Sequence, residues 1–305
     1  MKAFGERVTA AIAEKRSAVC VGLDPRPALL PSDCLEAGHA SSPREEEALA
    51  EASRIFCRRV VQLVAPHCAA VKPQVAFFEV FGSAGMEAYL DVCAFARGKG
   101  LPVIADIKRG DIGTTAEAYA RAWLARRGEE APRADACTIN PYLGRDGVIP
   151  FLEAASGSGG GVFVLVRTSN PSAADFQDLR VDGETLYLRV ARLVRSLNEG
   201  HVGPSGYGPL GAVVGATRPE MLGLLRAELP TSILLLPGFG AQGAGPADVV
   251  DGFDENGNGC LVSASRSITF PWSGESVVPR TWEERIVDAV TKMRDDLLAV
   301  LSAGA

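Results

Sequence analysis

Pro102-Val103-Ile104-Ala105-Asp106-Ile107-Lys108-Arg109-Gly110-Asp111 begins apolar and ends charged. The apolar half reads as a short strand buried on both faces, and the charged half as what that strand delivers at its C-terminal end. The same form recurs along the chain. Val19-Cys20-Val21-Gly22-Leu23, Ala69-Ala70-Val71, Ala136-Cys137-Thr138-Ile139 and Val162-Phe163-Val164-Leu165-Val166 are runs of this kind. So are Ala212-Val213-Val214, Ile233-Leu234-Leu235-Leu236 and Cys260-Leu261-Val262, which makes eight in all.

Between the runs lie segments of helical periodicity: Glu45 to Val64, Met86 to Arg97, Thr114 to Arg126, Gly183 to Leu197 and Pro219 to Leu229. Glu283 to Leu301 closes the chain as an amphipathic helix. Thr114-Thr115-Ala116-Glu117 reads as a capping box with Thr114 as N-cap. Alternating strands and helices are an α/β pattern, and eight units favour a closed (β/α)8 TIM barrel over an open doubly wound sheet. Ser156-Gly157-Ser158-Gly159-Gly160-Gly161 directly precedes a strand and reads as a helix-to-strand turn. With no repeat and no shift of composition, residues 1–305 read as a single barrel domain.

A barrel assembles its site at the C-terminal strand ends. The residues found there are Asp24, Lys72, Asp106 with Lys108, Asn140, Arg167-Thr168-Ser169-Asn170, Thr217, Pro237-Gly238-Phe239-Gly240, and Ser263, Ser265 and Arg266. Residues two apart on a strand share a face, roughly 6.6 Å apart, so Asp106 and Lys108 point together. Asp111 follows in the loop, and Lys72 comes from the neighbouring strand. Alternating signs let such groups keep one another ionised. By itself the D-x-K-x-x-D spacing serves a structural ion-pair network as well as a catalytic one.

Gly238-Phe239-Gly240-Ala241-Gln242-Gly243 follows the seventh strand, where barrels bind phosphate through backbone N–H groups, with Arg266 placed to clamp the same anion. A dinucleotide fingerprint would belong in the first unit. Asp254 to Gly259 resembles the start of a calcium loop, but its twelfth position is Ser265 rather than Glu, and it reads as a turn. His39, His67 and His201 fall at no strand end, and no Cys/His/carboxylate grouping has the look of a metal site.

Composition narrows the function classes. The chain has 305 residues, 47% of them hydrophobic, with 31 basic and 37 acidic side chains and a net charge of −6. That excludes a generally basic protein that coats nucleic acid. Only six of the basic residues are lysines (Lys2, Lys15, Lys72, Lys99, Lys108 and Lys292). Seven cysteines without C-x-x-C spacing argue against a disulfide framework or a zinc ribbon. Met1 to Ser17 is charged throughout and does not read as a signal peptide, and no apolar run approaches the ~20 residues needed to span a bilayer. The expected setting is a reducing cytoplasm.

Taken together, Val21-Gly22-Leu23-Asp24, Val71-Lys72-Pro73 and Asp106-Ile107-Lys108-Arg109-Gly110-Asp111-Ile112-Gly113-Thr114-Thr115 resemble the orotidine 5′-phosphate decarboxylase family. Arg167-Thr168-Ser169-Asn170-Pro171, the glycine-rich loop through Gly243, and Ser265-Arg266 extend the likeness, which is to the longer bacterial (type 2) form. The resemblance covers essentially the whole chain. It implies decarboxylation of orotidine 5′-monophosphate to UMP without metal or cofactor, by a homodimer in which Asp111 and Thr115 reach into the partner's site. It further implies Lys108 as the acid that protonates C6, Asp106 and the partner's Asp111 as the carboxylates beside it, and Lys72 as completing the array. Asp24 would contact the ribose, Ser169 the pyrimidine, Gln242 both base and phosphate, and Arg266 the phosphate. Segments Pro31 to Ala48, Gly200 to Pro209 and Pro271 to Arg280 look like additions to a compact barrel.

Losing CO2 from C6 leaves a carbanion with no conjugated carbonyl, so the protein must supply electrostatic stabilisation itself. An ammonium can do this and also deliver a proton, whereas a guanidinium is a poor acid. Two alternatives remain. One is a metal-dependent sugar-phosphate decarboxylase or aldolase of the same barrel suprafamily, which places a metal-binding carboxylate at the end of strand two, where this chain has Lys72. The other is a catalytically silent barrel acting as a binding protein.

Overall fold

A computed structural model describes residues 2–124, 133–216, 218–240, 243–275, 278 and 281–303. All eight apolar runs form parallel strands: β1 (Val19–Leu23), β2 (Ala70–Pro73), β3 (Ile104–Arg109), β4 (Ala136–Ile139), β5 (Gly161–Arg167), β6 (Leu210–Val214), β7 (Leu234–Pro237) and β8 (Cys260–Ala264). Neighbouring strands pair from β3 through β8 to β1 and β2. Bridges Val71↔Val103 and Gln74↔Asp106 bring β2 back to β3 and close the ring. The chain folds as a (β/α)8 TIM barrel.

The β-branched and leucine side chains pack on both faces of this ring. One buried cluster lies between the strands and the surrounding helices and includes Phe56, Val60, Trp123, Phe151 and Trp272. A second fills the inside of the barrel with Cys20, Ile104, Phe163, Leu235 and Leu261. Helix Phe4–Lys15 supplies Phe4 and Val8 to this inner cluster. Phe4 packs edge-on against Phe163 with ring centroids 5.8 Å apart, an arrangement aromatic pairs favour. Arg7 of the same helix pairs with buried Asp135, which also accepts from the Val103 amide at 2.9 Å. The N-terminal end of the barrel is therefore plugged, and the C-terminal rim is left for chemistry.

The structure corrects several boundaries. The chain turns into helix Gly113–Trp123 with Ile112 as its N-cap and no side-chain cap. Thr114 therefore already has helical backbone and cannot be the N-cap, which requires non-helical geometry. The expected end of this helix at Arg126 lies outside the described residues. Ser156 to Ser158 complete helix Arg145–Ser158, and the turn into β5 is confined to Gly159 and Gly160. Gly183 sits in the turn of a two-stranded antiparallel ribbon (Arg180–Val181 with Glu184–Thr185), and the following helix begins at Leu186. Helix Ser32–Ser41 occupies the segment after Pro31 and packs on helix Glu45–Val64. No described helix is long and apolar enough to cross a membrane.

Candidate active site

The rim is organised by β3. Asp106 is 4% exposed, and Lys72 Nζ and Lys108 Nζ donate to its two oxygens, at 2.6 Å to Oδ2 and 2.5 Å to Oδ1. Thr138 Oγ1 also donates to Oδ1, at 2.8 Å. Burial by itself would raise the Asp106 pKa. The charges and hydrogen bonds of Lys72 and Lys108 outweigh it and hold the carboxyl well below the usual carboxylate range. Burial correspondingly pulls Lys72 down, but Asp106 and then Asp24 hold it above an ordinary lysine. The result is a carboxylate clamped between two ammonium groups, one buried and one with its side chain 45% exposed on Lys108.

Asp106 and Lys108 do face the same way, as their spacing implies, but regular pleating is not what achieves it. Lys108 has φ 45°, a left-handed conformation that costs an L-residue about 1–2 kcal/mol. The β3–β4 register shifts between Ala105 and Arg109 at this point. Thr138 Oγ1 stabilises the irregularity by accepting from the successive amides of Ile107 at 3.1 Å and Lys108 at 3.0 Å. One threonine thus fixes both the bulge that aims Lys108 and the carboxylate that Lys108 meets. A reading confined to the residue after each apolar run misses it, because Thr138 lies within its run. Its signal was being the one hydroxyl inside an otherwise apolar strand.

A cavity of about 420 Å³ opens over this array and is lined by Lys72, Asp106, Lys108, Thr138, Ser169 and Gln177, among others. Asp24, at the end of β1, accepts from Ser265 Oγ at 2.6 Å through Oδ2, while its buried Oδ1 has no partner among the described residues. Gly22 makes this approach possible, because a Cβ there would stand 2.7 Å from that of Ser265. The loops after β7 and β8 meet as well: a Cβ at Gly240 would lie 3.3 Å from Ser267 Oγ. Gly240 N donates to Ala244 O at 2.9 Å. Arg266 is exposed at the start of the short helix Arg266–Thr269, beside this loop, with no ion-pair partner among the described residues. Gln242 and Thr217 lie outside the described residues.

Asp111 and Thr115 are not brought into the cavity. Asp111 Oδ1 accepts from the Ile112 amide at 2.8 Å, and Thr115 is exposed in the first turn of its helix. The same rim carries exposed Ile112 (56%), Tyr142 (78%) and Phe176 (63%), the last two lining one cavity. Asp111 O and Leu143 Cβ both lie against Gly147, which ties this apolar surface to Asp111. Among the described residues no group of three or more His, Cys, Asp or Glu side chains is arranged to hold a metal ion.

The family model described as Orotidine 5′-phosphate decarboxylase / HUMPS family matches residues 17–270. An orotidine 5′-phosphate decarboxylase of Rhodopirellula baltica is 44% identical over 303 residues, 97% of this chain and 99% of its own length. One from Deinococcus radiodurans is 43% identical over 267 residues, 88% of this chain and 89% of its own. Among solved structures, Leishmania donovani OMP decarboxylase superposes with a TM-score of 0.71 at 33% identity, covering 96% of this chain and 99% of that one.

Proposed function

The chain belongs to the orotidine 5′-phosphate decarboxylase / HUMPS family, and on that premise we propose that Lys108 is the acid that completes a decarboxylation at the barrel rim. The enzyme is a carboxy-lyase that converts orotidine 5′-monophosphate to UMP in pyrimidine biosynthesis. The observation that carries the proposal is the Lys108 ammonium, held 2.5 Å from a buried carboxylate and open to the cavity.

In the proposed reaction the C6–carboxylate bond breaks and its electron pair stays on C6. The Lys108 ammonium lies against the developing charge and transfers a proton from Nζ to C6. CO2 leaves, and solvent reprotonates the amine. Because the ammonium is already oriented by Asp106, little reorganisation is needed as charge develops. Asp106 holds the Lys108 ammonium in place by accepting its hydrogen bond, and Lys72 helps to keep Asp106 ionised. The Asp106 carboxylate also repels the substrate carboxylate before the bond breaks, a repulsion that disappears with CO2.

Asp24 Oδ1, buried and without a partner among the described residues, suits a ribose hydroxyl. Ser169 faces the pyrimidine, Gln242 bridges base and phosphate, and Arg266 with the Gly240 loop takes the phosphate. Phosphate binding far from C6 supplies binding energy that can be used at the reacting centre. Both Asp106 oxygens are occupied by ammonium groups, which favours a reaction independent of a divalent cation over the metal-dependent alternative.

The active form is a homodimer in which Asp111 and Thr115 complete the partner's site. Their position outside this chain's own cavity, on a rim that also exposes Tyr142 and Phe176, supports that reading. Residues 1–305 form one barrel domain with additions at 31–48, 200–209 and 271–280. The seven unpaired, buried cysteines fit a cytoplasmic enzyme. Purified protein should convert orotidine 5′-monophosphate to UMP in EDTA, followed by loss of substrate absorbance. Turnover only after Mg²⁺ is added refutes the cation-independent reading.

A further inference from the structure

The segment after β5 is long, running from Thr168 to Thr185 through a 3-10 turn at Pro171–Asp175 and the two-stranded ribbon. A segment of this length needs fastening if a residue within it is to meet a ligand reproducibly. Two fasteners join its start to residues further along. Buried Arg167 makes a bidentate pair with Asp178, at 2.8 Å from Nε and 3.0 Å from Nη2. The Gln177 amide then grips Thr168 twice: Oε1 accepts from the Thr168 amide at 2.8 Å, and Nε2 donates to Thr168 Oγ1 at 2.9 Å. Thr168 Oγ1 passes the chain on to Asn170 Oδ1 at 2.6 Å.

Ser169 is thereby bracketed, since both its neighbours are held by one network that starts at Gln177. From the other side its backbone lies against Gly215, where a Cβ would stand 2.8 Å from Ser169 Cα. Ser169 lines the cavity, and its hydroxyl makes no hydrogen bond within the described chain. It is fixed in place yet left with its hydrogen-bonding capacity unused. Gln177 also lines the adjoining apolar cavity of about 570 Å³, so it forms part of the wall between that space and the reacting centre.

We infer that Gln177 is a positioning residue, holding Ser169 at the pyrimidine of the substrate through its two hydrogen bonds to Thr168. The inference rests on the proposed contact between Ser169 and the pyrimidine. It assigns to the β5 segment the role of setting the edge of the base-binding cavity, with Gly215 as the surface against which Ser169 is pressed.

The test is a double-mutant cycle on the full chain, reading kcat and KM for orotidine 5′-monophosphate in wild type, Gln177→Ala, Ser169→Ala and the double variant. Gln177→Ala should lower kcat/KM about tenfold, the scale of losing one or two hydrogen bonds. Its split between kcat and KM should match that of Ser169→Ala. In the Ser169→Ala background the same change should cost less than about twofold, because a positioning residue has nothing left to position. If Gln177→Ala does not fold, Gln177→Glu keeps the acceptor for the Thr168 amide and carries the same cycle with an expected loss of about threefold. A loss from changing Gln177 that is undiminished in the Ser169→Ala background overturns the positioning role alone. Wild-type kinetics for Ser169→Ala overturn the pyrimidine contact and the positioning role with it. No loss on changing Gln177 overturns the positioning role directly.

Discussion

Asp106→Asn separates the charge array from everything else at the rim. The substitution keeps size and shape, but an amide offers one acceptor where two ammonium groups need one each, and its NH2 faces the second. The Lys72–Asp106 pair has side chains 10% and 6% exposed, so it is desolvated. Breaking such a pair by removing one partner costs about 3–5 kcal/mol. Lys108 is 45% exposed and screened by water, and it adds little to that figure. The variant should therefore be about 3–5 kcal/mol less stable than wild type at pH 7, measured by urea unfolding with tryptophan fluorescence and near-UV circular dichroism.

The deficit should also depend on pH with a definite sign. The folded pKa of Asp106 lies below its ordinary 3.8. The stability it contributes is then complete above about pH 4–5 and is lost as pH falls towards the folded value. One proton gives a slope of about 1.4 kcal/mol per pH unit in that interval. Between pH 5 and pH 3 the gap between wild type and Asp106→Asn should narrow by about 1 kcal/mol, however far below 3 the folded value lies. Turnover should fall by about 10²–10³, the scale for removing one preorganised electrostatic group. A variant as stable as wild type at pH 7, or a gap that stays level from pH 5 to pH 3, refutes the clamped carboxylate.

Lys108→Ala should lose turnover by at least about 10³-fold, and Lys108→Arg should fail similarly, because a guanidinium keeps charge but does not release a proton. UMP titrations should show binding retained within a few-fold in the alanine variant, and near-wild-type rates in either variant would remove Lys108 as the acid. Mixing inactive Lys108→Ala and Asp111→Ala subunits should restore part of the activity, since a hybrid of the proposed dimer would hold one intact site, and failure despite demonstrated subunit exchange counts against a shared Asp111. Thr138→Val deletes the hydroxyl that joins Asp106 to the amides of Ile107 and Lys108. It should lower kcat about tenfold or more and reduce stability by about 1–3 kcal/mol, as for buried donors left unsatisfied. Unchanged kcat with lowered stability would make Thr138 purely structural.

The barrel and its polarity were legible in the sequence, because both depend on local pattern. Eight short apolar runs can be buried on both faces only in a parallel sheet covered by helices, and a run that ends in charge shows which rim holds polar groups. Lys72 at the end of β2, and Asp106 with Lys108 at the end of β3, are legible in this way. Tertiary structure decided how they meet. The left-handed backbone of Lys108 exists because Thr138, on another strand, captures two successive amides, and that pairing depends on register rather than on neighbours in sequence. The grip of Gln177 on Thr168 depends likewise on how the segment after β5 folds back. Asp111 shares one short motif with Lys108, yet the turn into helix Gly113–Trp123 carries it out of the cavity. A motif records which groups are close along the chain, and the register and turns of the closed barrel determine which of them come within hydrogen-bonding distance.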